Sequence, residues 1–279
     1  YAYERAVRLM MTGGMVEEEE KEEEEEARKT QEENARDEWI AERVTMGRFE
    51  VSLSKAKAEK GTGVDGWNDY LLKKASREVK VQYYEILKEV MATKEFPEEW
   101  KEWTATFAMK PGEDPRELGR RRDLWCTCAG QKLVARMLGA LYEEQAEHRI
   151  PTSQGGFTKR MGGGTAHWPL PMQRAQCRLS EKACLRGYVD LGGYFMSVVR
   201  RVQRMVEREE GVEPSLTETM MALQEGSVGR GKTAFGKTGY WDIKDGLGQG
   251  CAAAAIRSKY TTSLIQRAVG RLCEGFEYE

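Results

Sequence analysis

Histidine is nearly missing from this 279-residue chain, which holds only His148 and His167. Its six cysteines (Cys126, Cys128, Cys177, Cys184, Cys251 and Cys273) form no C-x-x-C pair. A structural zinc site needs four such ligands at workable spacing, and this set offers no such pattern. Single scattered cysteines fit small buried side chains in a reducing intracellular compartment. No stretch approaches the ~18 apolar residues of a membrane span. No apolar segment with a cleavage site opens the chain. The chain starts at Tyr1 rather than Met and ends at Glu279 without an evident terminator, so it reads as a piece of a longer protein.

What is present is the composition of a water-facing domain: 40% hydrophobic, 32% charged, mean hydropathy -0.67. The net charge of -2 conceals an asymmetry. Residues 1–45 carry 15 acidic and 7 basic side chains, and the remainder carries 31 acidic and 37 basic. A mildly basic body is compatible with binding phosphate backbones. Residues 17–26 read EEEEKEEEEE, where like charges repel at every step. Farther on, Arg28, Lys29, Arg36 and Arg43 interleave with Glu32, Glu33, Asp37, Glu38 and Glu42, a pattern that sustains a solvated helix. Residues 1–48 therefore read as an acidic leader, helical or disordered, with docking on a basic partner as the sharper alternative.

Beyond it the pattern changes. Residues 49–60 look helical up to Gly61, and GTGVDG (61–66) is a turn. Trp67, Tyr70, Leu71, Val79, Tyr83, Ile86, Leu87 and Val90 recur at helical spacing until Pro97 breaks the run. Residues 103–109 alternate as a strand, closed by Lys110, Pro111 and Gly112. Residues 130–147, 198–208 and 252–272 read as helices, and 185–191 as a short buried strand. Residues 155–164 read as a glycine-rich loop, and eight glycines among aromatics over 226–250 suggest a β-hairpin. Helices and strands without a regular βαβ repeat indicate an α+β fold.

Two segments carry chemistry. YVDLGGYFMSVVR (188–200) places Asp190 at the end of an apolar strand. A buried aspartate needs a partner; a hard divalent cation is one, and the start of a helix near Tyr194 is the other, with Asp190 as its cap. DGLGQGCAAAA (245–255) is either a turn that admits close approach to a ligand or an ordinary glycine-rich turn before an alanine-rich helix. Residues 226–233, GSVGRGKT, match the phosphate-loop pattern in full. The segment that follows is glycine-broken and strand-like, whereas a phosphate loop opens a helix. That match is therefore read as a decoy.

Taken in order, these segments resemble the reverse transcriptases of non-LTR, LINE-like retrotransposons. The family's A-P-G-x-D-G appears as GTGVDG, with Thr62 at the proline. Its P-x-x-W-K appears as Pro97, Trp100 and Lys101, and its strand-closing K-P-G as Lys110, Pro111 and Gly112. Arg122, Lys132 and Leu133 stand for the R-P-I-S-L segment and the K-L helix start, without the proline. Gln154, Gly156 and Phe157 stand for Q-x-G-F, then follow YVDL and the Gly-Gln-Gly turn. The likeness covers about residues 50 to 270.

The resemblance implies fingers over 49–180 and a partial palm, a split βαβ sheet, over 181–279. It implies RNA-directed DNA polymerisation on an RNA template and DNA primer, in the nucleus or cytoplasm, with two Mg²⁺ ions stabilising the attacking oxygen and the leaving pyrophosphate. Asp190 is then the catalytic metal ligand, and the Leu191 carbonyl a further one. Phe195 sits under the sugar and selects deoxynucleotides. Gln249 and Gly250 line the nucleotide pocket, and Lys110 and Arg122 contact the triphosphate. The departures are specific: Met196 replaces a second aspartate, Ala252 and Ala255 replace prolines, and no Y-x-D-D follows Ala255 in this chain. One carboxylate cannot hold two ions, so the fragment is expected to be inactive by itself. A Y-x-D-D within a few dozen residues of Glu279 is expected if the protein polymerises DNA. The alternative is a catalytically dead descendant serving as a structural or interaction subunit of a larger protein assembly.

Overall fold

The computed structural model describes residues 37–108, 112, 122–146, 148–151, 154–158, 161, 169–181, 190–233, 235–248 and 250–272. Helix α1 (Glu38–Arg43) starts where Asp37 accepts from the Ile40 backbone N–H at 3.1 Å. Lys94 pins the same carboxylate at 3.0 Å. Helix α2 (Met46–Ser54) is capped by Thr45, which accepts from the Arg48 N–H. It starts earlier and stops earlier than the 49–60 reading. The Lys55 N–H bonds back into the last turn, and turns replace helix over 58–60. Residues 67–93 split in two. Asn68 caps α3 (Asp69–Lys74), and Ser76 caps α4 (Arg77–Thr93). Serine and asparagine favour such caps because their side chains satisfy N–H groups that have no partner within the helix.

A single-turn 3₁₀ helix (Glu98–Lys101) leads into β1 (Glu102–Ala108), as the alternation indicated. Strand β2 (Arg122–Cys126) runs antiparallel to it, and α5 (Ala129–Ala146) follows. Then come α6 (Pro169–Leu179), α7 (Tyr194–Ser197), α8 (Arg200–Glu209) and α9 (Pro214–Gln224). Strands β3 (Val228–Thr233), β4 (Gly236–Lys237) and β5 (Trp241–Asp242) precede α10 (Ala254–Leu272). The described residues thus form a mixed α+β structure with a small five-stranded sheet, order β2-β1-β3-β4, with β5 also on β3. Strands β1 and β3 are parallel, which a hairpin cannot join; the helices between them make the crossover. The GSVGRGKT segment is largely strand β3, not a loop opening a helix, and its hairpin partner is β4. No described helix is long and apolar enough to cross a membrane.

The main core draws on α1, α2, α4, α5, α8, α9 and α10, with Ile40, Phe49, Leu87, Leu138, Val206, Leu216 and Tyr260 among its buried members. It therefore spans both the region expected as fingers and the region expected as palm. Residues 38–48, assigned above to the charged leader, contribute fully buried Ile40 and Val44. Residues 1–36 lie outside the described residues. Within this core Arg257 and Glu207 are both fully buried and paired at 2.6 Å. Tyr142 donates to Glu207 at 2.8 Å, Gln203 donates to it at 2.7 Å, and Arg257 donates to Gln224 at 2.8 Å. Burial opposes the Arg257 charge, but the Glu207 carboxylate more than offsets it and holds the guanidinium protonated. Buried charges persist only with such pairing.

Candidate functional site

The Asp190 turn is built from small residues. Asp190 and Leu191 are exposed and lie in no strand, and Gly192 and Gly193 form the bend into α7. The rest of the expected 185–191 strand falls on residues outside those described. The premise that Asp190 is buried is corrected: its carboxylate faces solvent, with no partner among the described residues. The helix-cap reading also fails. The N-cap of α7 is Gly193, with φ 60° and no side-chain cap bond, and its carbonyl accepts from Met196 and Ser197.

Phe195, five residues on, is half-buried between two other rings. Tyr194 lies 5.7 Å away and Phe157 5.8 Å away, both edge-on. Below it Val198, Leu247 and Ala254 form a small apolar cluster. The Tyr194 hydroxyl donates to the Ser258 carbonyl at 2.9 Å, tying the turn to α10.

The glycine turn is joined to this segment through its backbone. Leu247 N–H donates to the Phe195 carbonyl at 2.8 Å, and Gly246 N–H to the Val198 carbonyl at 2.9 Å. Gly246 has φ 92°, and a Cβ there would lie 3.2 Å from the Phe195 and Met196 carbonyl oxygens. Gly248 has φ 73°, and its Cβ would fall 2.0 Å from the Trp103 ring. Only glycine supplies both the left-handed backbone and the missing volume. Gly250 is exposed, with its backbone against the Trp125 carbonyl of β2. Gln249 lies outside the described residues.

Arg200 locks the junction, and the sequence reading did not single it out. Its backbone N–H donates to Asp245 at 3.1 Å, its Nε to the Gly246 carbonyl at 3.1 Å, and its Nη1 to the Gln224 carbonyl at 2.6 Å. Burial, helped by the nearby Arg257 charge, pulls its guanidinium down to about 10. An arginine at a helix start reads in sequence as a solvated charge; only its burial against two carbonyls reveals the clamp.

The upstream segments sit differently. Asp65 of GTGVDG accepts from the Ala129 N–H at 3.0 Å, at the start of α5, and Lys132 donates to the Gly61 carbonyl at 2.5 Å. This motif braces the β2–α5 junction. Burial, with the neighbouring Asp65 charge, pushes the Cys128 thiol up to about 12. Burial likewise pushes the Tyr83 phenol to about 12, with the Cys128, Asp65 and Asp69 charges adding. Trp100 packs over Gly130, and Lys101 pairs with Glu98 at 3.3 Å. Lys110 lies outside the described residues. Arg122 pairs through its backbone with Ala108 at the end of the β1–β2 ladder.

The Q-x-G-F segment does reach the Asp190 turn. Gln154 donates to the Thr262 hydroxyl of α10, Lys259 donates to the Thr158 hydroxyl at 2.9 Å, and Phe157 lies on Phe195. Met196, at the position of the expected second carboxylate, is half-buried against the Trp103–Trp125–Ile243 cluster.

As metal donors, Asp190 and the Leu191 carbonyl supply hard oxygens of the type Mg²⁺ takes. They are one carboxylate and one carbonyl, which is not a two-ion set. Among the described residues no three His, Cys, Asp or Glu side chains converge to hold a metal. In comparison with known proteins, no family model matches the chain and no curated protein matches it.

Proposed function

We propose that this chain is a reverse-transcriptase-like domain, with fingers and a partial palm, whose parent activity is RNA-directed DNA polymerisation on a two-Mg²⁺ centre. The supporting observation is convergence at Phe195. Phe157, the Phe195 turn and the Gly246–Gly250 turn are separated by dozens of residues, yet they meet through a ring contact and two backbone hydrogen bonds. In this reading Asp190 and the Leu191 carbonyl are metal ligands, and Phe195 supports the sugar. Gly250 and Gln249 line the pocket, and Lys110 and Arg122 reach the triphosphate. The RNA template and DNA primer follow the basic body. Primer extension on an RNA template by the full-length protein, with Mg²⁺ and deoxynucleotides, is the test. Extension abolished by Asp190→Ala is expected; extension retained by that variant removes the assignment.

A second reading has its own observation. Met196 places an apolar side chain in a tryptophan cluster where the family commonly carries its second aspartate. A catalytically silent descendant acting as a subunit of a larger assembly accommodates that change. It predicts stoichiometric co-purification with a complex and no extension by the full-length protein.

A further inference from the structure

Phe157 is 65% exposed, and its backbone is left-handed at φ 55°. Each feature is unfavourable for phenylalanine: the ring leaves much of its apolar surface in water, and the Cβ crowds the backbone in that region. Such strain persists only where the surroundings over-determine it. Here they do. The Gln154 side chain is fixed on Thr262, and the Thr158 hydroxyl donates to the Gln154 carbonyl at 2.8 Å. Thr158 also accepts from the ammonium of Lys259, a largely buried residue of α10. The Phe157 ring then meets Phe195 edge-on, at 5.8 Å and 67°. The loop therefore holds a largely exposed ring against Phe195 of the Asp190 turn, while Lys259 anchors the adjacent Thr158.

We propose that Phe157 is a stacking shelf for a nucleobase, a further binding residue of the site. The proposal rests on the nucleic-acid reading of that site. Every base offers a planar π-face, and an exposed, preorganised aromatic ring binds it without sequence preference. The base belongs either to an unpaired nucleotide of a strand or to a free deoxynucleoside triphosphate. The chemistry at the ring is the same.

Equilibrium binding by the whole chain separates these sources, with a short single-stranded oligodeoxythymidylate and dTTP as probes. Phe157→Ala should weaken the probe that stacks by roughly tenfold, and Phe157→Trp should restore it with quenching of the added indole. Loss confined to the oligonucleotide assigns the shelf to the strand; loss confined to dTTP assigns it to the free nucleotide. Phe157→Gly relieves the left-handed strain, so its thermal midpoint should hold or rise while binding falls. Binding by Phe157→Ala equal to wild type overturns the shelf and leaves the reading of the site intact. A midpoint that falls in Phe157→Gly along with binding marks a packing residue and also overturns it. A wild-type chain that binds neither probe removes the nucleic-acid reading beneath the proposal.

Discussion

Around Glu207 the molecule buries two full charges and surrounds them with partners; around Asp190 it leaves one carboxylate in solvent on a turn of glycines. Four helices, α5, α8, α9 and α10, supply the first region through Tyr142, Gln203, Glu207, Gln224 and Arg257. The second rests on a small cluster of Val198, Leu247 and Ala254 and on backbone bonds between turns. The difference separates stability from chemistry. A paired buried charge is costly to disturb because its partner is left unsatisfied. An exposed carboxylate is nearly free to change, so whatever depends on it is function rather than fold.

The largest expected effect comes from breaking the first region. Glu207→Gln or Arg257→Met should cost about 3–5 kcal/mol in urea denaturation, because the remaining charge stays buried alone. The double variant Glu207→Met/Arg257→Met should recover much of that loss. No recovery would show that the surrounding hydrogen bonds, rather than the pair, carry the stability.

Gly248→Ala tests the glycine turn against the tryptophan cluster. The added methyl collides with the Trp103 ring at a positive φ, so a loss of about 2–4 kcal/mol is expected, combining overpacking and strain. A change in the near-ultraviolet circular dichroism of the tryptophan cluster should accompany it. Unchanged stability would mean that the turn yields and is not a rigid wall of the site.

Alkaline titration probes the brace at the β2–α5 junction. The thiol of Cys128 is raised from 9.0 to about 12, and the phenol of Tyr83 from 10.0 to about 12. For groups raised by folding, the stabilising contribution is whole below the unfolded value and is lost as pH climbs through the folded one. Stability from these two groups should therefore fall between about pH 9 and pH 12. Arg200 acts oppositely above about pH 10, since its lowered value favours the folded state there. Tyr83→Phe and Cys128→Ala should each flatten the decline, measured as the denaturation midpoint against pH.

The smallest effect on stability is expected at Asp190. Asp190→Asn should shift the folding free energy by no more than about 0.5 kcal/mol, as surface changes do. A large destabilisation there would contradict the exposure of its carboxylate and blur the contrast with Glu207.

Strong periodicity made much of this fold legible. The α5 and α10 helices and the β1 alternation appear in the sequence within one or two residues of their observed ends. The glycine-rich 226–250 segment forms the β3–β4 hairpin, and the phosphate-loop pattern within it is a strand. Where two signals competed, the reading erred. Ser76 divides what looked like one helix, because a capping serine outweighs the continuing apolar spacing. Helices α6 and α9 passed unread; proline at or near their first positions resembles a break but also suits the first turn of a helix.

The amphipathic helices, the α+β character and the order of the candidate segments are legible locally, because they depend on neighbours within a few residues. Which charges are buried and which rings meet depends on packing between distant segments. Arg257 finds Glu207 across 50 positions, Tyr194 finds Ser258 across 64, and Gln154 finds Thr262 across 108. Burial is a property of what packs against a residue, not of the residue, so no local pattern could place Asp190 in solvent or Arg200 in the core.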